Sequence, residues 1–241
     1  MLNKAALITA GANRIGKAMA LRLAKLGYHI ILHYNRSEQN ALTTKSEIEA
    51  LGVACTTVQI NFSNPQQPIT LFSDVEANLD IQVVVNNASD FNKSNFETTS
   101  NDLLFHHFNI TFVSAYRLTK LFAQNKQQGL IVNLLDTKVK YNSTQNLDYL
   151  LAKKNLYAFT KIAAKELGPN FRVNAIAPGI ILPPPEVELE KGKAYMMERA
   201  QNIPLKTYGD TGQICNALQF FIENNFVTGQ TIFVDGGEHL G

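Results

Sequence analysis

The sequence predicts an α/β fold, a single doubly wound Rossmann domain with a seven-stranded parallel sheet over residues 1–241. Short runs that are apolar throughout alternate with amphipathic stretches along the whole chain. Such strands indicate a sheet covered on both faces, and the helix after each strand supplies the crossover that parallel strands need. With 241 residues, 45% of them hydrophobic, the chain can bury one large core.

The predicted elements follow one another in a regular order. The seven predicted strands are Lys4–Thr9, His29–His33, Val53–Ile60, Ile81–Val85, Leu130–Leu135, Arg172–Ile176 and Thr231–Val234. The predicted helices are Arg14–Leu26, Glu38–Leu51, Gln66–Asn78, a long helix near Asp102–Asn125, and Asp148–Leu167. Helical segments also lie between the last two strands. Within them, residues 180–205 contain the proline run Pro183–Pro185 and are interpreted as a substrate lid or as an ordinary surface loop.

Composition excludes several classes of partner. The formal net charge is +2 and no basic run is interleaved with aromatics, so we expect no nucleic acid. No apolar run approaches the roughly 20 residues of a membrane span, and the N-terminus lacks a signal-peptide layout. Cys55 and Cys215 fit no metal-ligand spacing and are expected to be buried, reduced thiols in a cytoplasmic protein. We expect no metal, and we interpret His106 and His107 as structural.

Tyr149 and Lys153 are the strongest functional signal in the chain. Their four-residue spacing puts both side chains on one helix face. Asp136 stands thirteen residues before the tyrosine, at the end of a predicted strand. An ammonium in this place can hold a cofactor, and we expect it to lower the pKa of the phenol below its usual value near 10. The pair alone is a weak motif, and it gains force from the glycine turn at the other end of the domain.

The turn Thr9–Gly16 follows the first strand. Its glycines, Gly11 and Gly16, let the backbone turn tightly and approach a pyrophosphate at a helix N-terminus. Because the turn has only two glycines, it is by itself a weak match to the dinucleotide-binding fingerprint, and a plain βα turn is the alternative.

The end of the second strand bears on the choice of cofactor. An NAD site usually has an acid here that accepts a hydrogen bond from the ribose 2′-hydroxyl, and none lies between Gly16 and Arg36. Arg14, Arg36 and Ser37 are instead suited to a 2′-phosphate, because a guanidinium matches phosphate geometry. The residues favour NADPH over NADH, unless Arg36 only decorates a solvated loop.

Taken in order, these motifs resemble the short-chain dehydrogenase/reductase family over essentially the whole chain. The motifs that carry the resemblance are the turn Thr9–Gly16, Asn86–Ala88, Asn109, the pair Tyr149 and Lys153, Pro178–Gly179, and Val234–Gly237. A narrower resemblance is to the pteridine reductases of the dihydromonapterin or dihydrofolate reductase-like branch. It is carried by Arg14 in place of the usual second glycine, the segments His33–Ser37 and Asn87–Phe91, and Asp136 in place of the usual serine.

The resemblance implies roles for individual residues. The implied NADPH-binding residues are Gly11, Asn13, Arg14, Ile15, Gly16, Tyr34, Asn35, Arg36, Ser37, Asn61, Phe62, Asn87, Ala88, Ser89, Lys153, Pro178 and Gly179. The implied catalytic residues are Asp136, Tyr149, Lys153 and Asn109, the last supporting Lys153 through a water. Phe91, Asp136 and Tyr149 would contact a pteridine substrate, although Phe91 can also be read as a core or lid aromatic. A homotetramer packed through two long helices is implied as well.

The chain departs from the family pattern in two places. Ala10 replaces the first glycine of the turn, which a small side chain tolerates at slight cost. Asn61 with Phe62 replaces the Asp-Leu pair that addresses the adenine amino group, and an amide oxygen can still accept there.

Asp136 bears on the substrate. Ketone reduction places negative charge on oxygen, and a carboxylate at ~4 Å would oppose it by about 4 kcal/mol at an effective dielectric of about 20. That is roughly three decades in rate. A pteridine C=N bond instead has a nitrogen that accepts a proton, in a ring whose N–H groups can donate to a carboxylate.

The predicted function is therefore NADPH-dependent reduction of a dihydropterin or dihydrofolate to the tetrahydro form. One alternative is that Asp136 only caps or pairs locally in an NADPH-dependent carbonyl reductase acting on a 3-oxoacyl thioester, a quinone or a sugar. Another is a catalytically idle NADPH-binding protein. Lys138 and Lys140, close to Asp136, are expected to be solvated.

Overall fold

A parallel sheet of seven strands organises the molecule, seen in a computed structural model that describes residues 3–67, 69, 79–92, 94–184 and 187–241. The sheet has the order β3-β2-β1-β4-β5-β6-β7. The strands are β1 Asn3–Ile8, β2 His29–Tyr34, β3 Cys55–Gln59, β4 Leu79–Asn86, β5 Gly129–Leu134, β6 Phe171–Pro178 and β7 Thr231–Val234. The predicted fold class and all seven predicted strands are confirmed, with ends that differ by at most two residues.

Helices cover both faces of the sheet. They are α1 Arg14–Lys25, α2 Glu38–Glu49, α3 Asn101–His107, α4 Ser114–Asn125, α5 Leu147–Glu166, α6 Leu189–Ala200 and α7 Thr211–Glu223. The predicted long helix is divided, because the π-helical segment Phe108–Val113 lies between α3 and α4. Apolar periodicity does not reveal such a widening of the helical turn. Almost all of the predicted helix Gln66–Asn78 lies outside the described residues.

The core lies in two apolar layers, one on each face of the sheet. Successive residues of a buried strand face opposite layers, as Ile8 and Leu7 of β1 do. The layer containing Ile8 includes residues of α1 and α7, and the layer containing Leu7 includes residues of α4 and α5. This arrangement explains why the strands are apolar throughout. Cys55 and Cys215 are free and buried, as predicted. Within the described ranges, no helix is long and apolar enough to cross a bilayer.

The strand order reverses between β1 and β4. At that point polar groups join the two segments that follow these strands. The Thr9 hydroxyl oxygen accepts hydrogen bonds from the backbone N–H groups of Asn87 and Ala88, each at 2.8 Å. The Asn87 side-chain amide donates to the carbonyls of Thr9 and Ala10, at 2.9 and 3.1 Å. These contacts fix the glycine turn against the loop after β4. In open α/β sheets, ligands bind in the crevice at such a switch point.

The glycine turn holds two L-residues in the left-handed backbone region. Ala10 has φ 49° and Arg14 has φ 51°, and these are the positions of the first and second glycines of the family pattern. Gly16 is required for space instead, because a Cβ atom there would lie 2.2 Å from the Ala10 carbonyl oxygen. The turn therefore keeps the backbone path of a three-glycine turn with only part of its glycines, at a cost of roughly 1–2 kcal/mol for each left-handed L-residue.

Replacing Ala10 with glycine is expected to stabilise the protein. Glycine adopts positive φ without strain, and after its larger unfolded-state entropy is subtracted we expect a gain of about 0.5–1 kcal/mol in the free energy of unfolding. Urea denaturation measures it. The matched control is Ala12→Gly in the same turn, where φ is not positive and a loss is expected. A loss for Ala10→Gly as well would contradict the strain assigned to this position.

Candidate active site

One cavity of about 1690 Å³ runs along the carboxyl edge of the sheet. It brings together most of the residues that the sequence singled out. The predicted site residues that line it are Asn13, Arg14, Ile15, Gly16, Tyr34, Asn35, Arg36, Ser37, Phe62, Asn87, Ala88, Ser89, Phe91, Asp136, Tyr149, Lys153, Pro178 and Gly179.

Three predicted site residues do not line the cavity. Gly11 packs beneath the turn, where an added Cβ would lie 2.8 Å from side-chain atoms of Ile8 and Leu32. The Asn61 amide oxygen accepts hydrogen bonds from the backbone N–H and hydroxyl of Ser63, at 3.0 and 2.7 Å. Asn109 lies in the π-helical segment and donates to the Ser63 carbonyl at 3.2 Å. The roles predicted for these three residues stay predictions.

Tyr149 and Asp136 form the centre of the site. The Tyr149 hydroxyl donates to Oδ2 of Asp136 at 2.9 Å. The other carboxylate oxygen, Oδ1, accepts from the backbone N–H of Lys138 at 2.8 Å and caps the short 3₁₀ helix Thr137–Lys140. Asp136 therefore combines a local capping role with a direct contact to the tyrosine.

The predicted lowering of the Tyr149 pKa is wrong. Burial of the phenol, followed by the charge of Asp136 and the hydrogen bond to it, raises the Tyr149 pKa well above its usual value of 10.0. The Lys153 ammonium lies 5.7 Å from the Tyr149 ring centroid and donates to the Leu134 carbonyl at 2.6 Å. The phenol thus holds its proton against a carboxylate.

Lys153 is a buried cation, with only 2% of the residue exposed. Burial lowers its pKa from 10.5 to about 8, and the charge of Asp136 opposes that change in part. The site therefore keeps an ammonium group in a place where the charged form is disfavoured.

Phe91 stands over the centre of the site from the loop after β4. Its ring is 55% exposed and meets the Tyr149 ring edge-on, with centroids 5.0 Å apart. The Lys138 ammonium lies 5.6 Å from the Phe91 ring centroid, and Lys138 lines the cavity instead of being freely solvated as predicted. Lys140 is exposed, in agreement with the prediction.

Comparison with known proteins identifies the family. A family model described as enoyl-(acyl carrier protein) reductase matches residues 10–239. The chain belongs to the short-chain dehydrogenase/reductase family. It is similar to the 3-oxoacyl-[acyl-carrier-protein] reductase FabG of Staphylococcus epidermidis, with 30% identity over 99% of this chain and 100% of the relative.

Two solved structures show the same architecture. FolM alternative dihydrofolate reductase 1 from Brucella suis, in complex with NADP, has a TM-score of 0.90 and 30% identity over 100% of this chain and 97% of its own. Acetoin dehydrogenase YohF from Salmonella typhimurium has a TM-score of 0.86 and 28% identity, over 99% and 98% of the two chains. These comparisons confirm an oxidoreductase of the short-chain dehydrogenase/reductase family.

His33 supports the glycine turn of this short-chain dehydrogenase/reductase, and the sequence reasoning gave it no role. Its Nδ1 accepts from the Ala10 backbone N–H at 3.0 Å, so its Nε2–H must be the donor to the Ile60 carbonyl, 2.9 Å away. Burial lowers the His33 pKa from 6.5 to about 4, so the ring is neutral near pH 7. The position of a polar histidine at the end of a buried apolar strand is the sequence feature that could have indicated this role.

The N-terminus of α1 fits the phosphates of a nicotinamide dinucleotide. Its N-cap residue, Asn13, makes no side-chain cap hydrogen bond, and the first turn contains no acidic residue. The helix therefore presents backbone N–H groups and the positive end of its dipole to the cavity. Gly16, in the first turn of this helix, lies where a Cβ would be 2.2 Å from the Ala10 carbonyl oxygen, so the backbone is closely packed at the cradle. Gly179 lines the cavity elsewhere, where a Cβ would be 2.6 Å from Asp235.

The two histidines of α3 have carboxylate neighbours that the sequence did not reveal. His106 Nε2 lies 3.0 Å from Asp90, and His107 Nε2 lies 3.3 Å from Asp148. Among the described residues there is no group of three or more His, Cys, Asp or Glu side chains able to hold a metal ion. The interpretation of both histidines as structural stays a prediction.

The buried ammonium of Lys153 is expected to give stability a specific pH dependence. The pKa of Lys153 in the folded protein is about 8, below the usual lysine value of 10.5. Between these two pH values the unfolded chain therefore binds more protons than the folded protein does. Stability therefore rises with pH in this window, by up to about 1.4 kcal/mol per pH unit. We expect the unfolding free energy of the cofactor-free protein, minus that of Lys153→Met, to increase from pH 8 to 9.5. Denaturant titrations measure it, and a flat or falling difference would overturn the assignment.

Proposed function

We propose that this enzyme reduces a dihydropterin or dihydrofolate to the tetrahydro form with NADPH. The observation that carries the proposal is the 2.9 Å hydrogen bond from Tyr149 to the Asp136 carboxylate, at the cavity wall beneath Phe91. The FolM structure from Brucella suis, an alternative dihydrofolate reductase by its description, supports the same substrate class.

The carboxylate disfavours a ketone substrate in two ways. It puts negative charge where an oxyanion would develop, and a ketone has no N–H group that could donate to it. A pteridine suits the same arrangement, because its ring N–H groups can donate to Asp136 while its C=N nitrogen receives a proton.

Tyr149 is the proton donor in this proposal. Its raised pKa means that it gives up the proton only to a strongly basic atom. The nitrogen of a C=N bond becomes such an atom when the adjoining carbon gains a hydride, which is the chemistry that a bound reduced nicotinamide supplies. Asp136 orients the phenol by accepting its hydroxyl, and it is open to the cavity, from which it can receive a replacement proton. Lys153 provides a positive charge beside the phenolate that remains.

Phe91 is the proposed stacking surface for the pteridine ring. More than half of its surface is exposed, and its ring is held edge-on to Tyr149. A flat heterocycle placed on this ring would lie next to both the phenol and the carboxylate. Offset stacking of this kind adds about 0.5–1.5 kcal/mol beyond the area that it buries.

NADPH is the proposed cofactor because the guanidinium groups of Arg14 and Arg36 line the cavity. Arg36 is exposed, lines the cavity, and has no hydrogen-bond or ion-pair partner among the described residues. Arg14 donates to the Pro183 carbonyl at 2.9 Å and keeps further N–H groups for a phosphate. The NADP bound in the FolM structure from Brucella suis agrees with this choice.

Residues 180–205 are the proposed substrate lid. Helix α6 lies within them, and its residues Tyr195, Met196 and Arg199 line the cavity. Residues 185 and 186 of this segment lie outside the described part of the chain.

A cytoplasmic homotetramer remains our proposal for the assembled enzyme. Tyr116 of α4 and Leu151 and Ile162 of α5 are exposed apolar residues on the two helices that the resemblance assigns to the interface.

A 3-oxoacyl thioester is the second candidate substrate. The similarity to the Staphylococcus epidermidis FabG protein, which spans that relative's full length, favours it. Asp136 is the residue that decides between the two candidates.

Cofactor preference tests the role of Arg36. We expect the wild-type enzyme to bind NADPH at least tenfold more tightly than NADH, and Arg36→Ala to weaken NADPH binding about tenfold without changing NADH binding. Calorimetric titration measures both dissociation constants. Lys45→Ala on α2, a cation that does not line the cavity, serves as the matched control. A wild-type preference for NADH would refute the 2′-phosphate site.

Substrate preference tests the role of Asp136. We expect wild-type enzyme to oxidise NADPH with dihydrobiopterin, dihydromonapterin or dihydrofolate, and not with an acetoacetyl thioester. Asp136→Ser should reduce pteridine turnover by roughly 100-fold, because the carboxylate that orients Tyr149 and accepts from the pteridine N–H groups is lost. It should also increase thioester turnover. Tyr149→Phe should lose both activities while its NADPH dissociation constant stays within about twofold. Thioester turnover alone in the wild type would make this an ordinary carbonyl reductase.

A further inference from the structure

A strap of hydrogen bonds joins the loop that carries Phe91 to the start of the helix that carries Tyr149. The Asn146 side-chain amide donates to the Asn92 carbonyl at 2.8 Å, and the Asn146 backbone N–H donates to the Ser94 carbonyl at 2.7 Å. Asn146 is the N-cap of α5 and has a left-handed backbone, with φ 57° and ψ 48°. We call these contacts, with those of Asp148 below, the loop–helix strap.

Asp148 completes the loop–helix strap from inside the protein. Its Oδ1 accepts a short hydrogen bond from the Ser94 hydroxyl, and the carboxylate is fully buried. His107 of α3, also fully buried, brings Nε2 to 3.3 Å from Oδ2 without a hydrogen bond between the two atoms, and an ion pair would need a protonated ring, which burial disfavours. Burial lowers the His107 pKa below 6.5. A buried carboxylate is costly unless it is paired, so its retention here calls for a reason beyond packing.

The reason lies in the neighbours of the strap. Asp148 immediately precedes Tyr149, and Asn92 immediately follows Phe91. The rings of Phe91 and Tyr149 belong to elements that are far apart in sequence, yet they lie in edge contact at 5.0 Å. The His107 ring supports Tyr149 from behind, with centroids 6.4 Å apart. Apart from the strap, the edge contact with Tyr149 is what joins Phe91 to α5 among the described residues, while Asp90 and Asn92 contact the histidines of α3.

We propose that Asn146, Asp148 and Ser94 are positioning residues that hold the stacking ring of Phe91 in register with the proton donor Tyr149. The inference rests on the proposed function for its substrate, a dihydropterin or dihydrofolate. The strap belongs to the substrate half of the cavity, because none of its hydrogen bonds reaches the glycine turn or the end of β2. Its loss should therefore affect the substrate and leave the cofactor unaffected.

The first test uses Asn146→Gly. Glycine accepts the positive φ of this position, so the helix start is kept while the bond to Asn92 is lost. We expect KM for the pteridine to rise about tenfold, with the NADPH dissociation constant within about twofold of wild type. Ser94→Ala, which removes the donor to Asp148, should behave in the same way. Asp148→Asn keeps an acceptor oxygen for Ser94, so its KM for the pteridine should stay close to the wild-type value.

The control is Asp102→Asn, which changes an exposed acid in the first turn of α3 and should alter neither constant. An unchanged pteridine KM in both Asn146→Gly and Ser94→Ala would overturn the proposal. An equal loss of NADPH affinity would also overturn it, because a general structural role would weaken both ligands.

A second measurement does not depend on the substrate. Amide hydrogen exchange over residues 89–95 should be about tenfold faster in Asn146→Gly than in wild type and unchanged in Asp102→Asn. If wild-type enzyme reduces no pteridine, the proposed function fails, and this exchange rate still decides whether the strap fixes the Phe91 loop. Equal exchange in wild type and Asn146→Gly would refute the strap.

Discussion

The tie between Thr9 and Asn87 is the constraint on which the active site depends. At the switch point the chains that leave β1 and β4 turn to opposite faces of the sheet, so a crevice opens between them. The Thr9 hydroxyl and the Asn87 side-chain amide join these two segments across the crevice through four hydrogen bonds. The glycine turn and the loop to Phe91 both begin at this tie, so the cofactor half and the substrate half of the cavity share one fixed origin.

Several features of the site next to this tie reduce the stability of the folded protein. Lys153 is an ammonium group in a place that lowers its pKa, and Asp136 is a carboxylate shared between a helix cap and a phenol. Ala10 and Arg14 add backbone strain in the turn. The apolar layers on both sides of the sheet offset these costs. Strain and buried charge concentrated at one edge are typical of catalytic sites, because function there requires groups that packing alone would not select.

The sequence predicted whatever depends on local pattern. Strands that are apolar throughout predicted the parallel sheet. The four-residue spacing predicted that Tyr149 and Lys153 share one helix face. Properties that depend on distant contacts were missed. The raised Tyr149 pKa follows from complete burial beside Asp136, and the tautomer of His33 follows from hydrogen bonds to Ala10 and Ile60. The side chain of Asn61 turns to Ser63 in its own loop, which spacing does not reveal.

The size of the cavity has a kinetic consequence. A pocket for one small ligand usually measures about 300–1,000 Å³, whereas this cavity measures about 1690 Å³ and extends without interruption from Arg36 to Phe91. It has room for two reactants side by side, and Tyr149 lies at the Phe91 end. We expect such a site to work through a ternary complex, in which both reactants must be present before either product forms, so that double-reciprocal plots of rate intersect instead of running parallel.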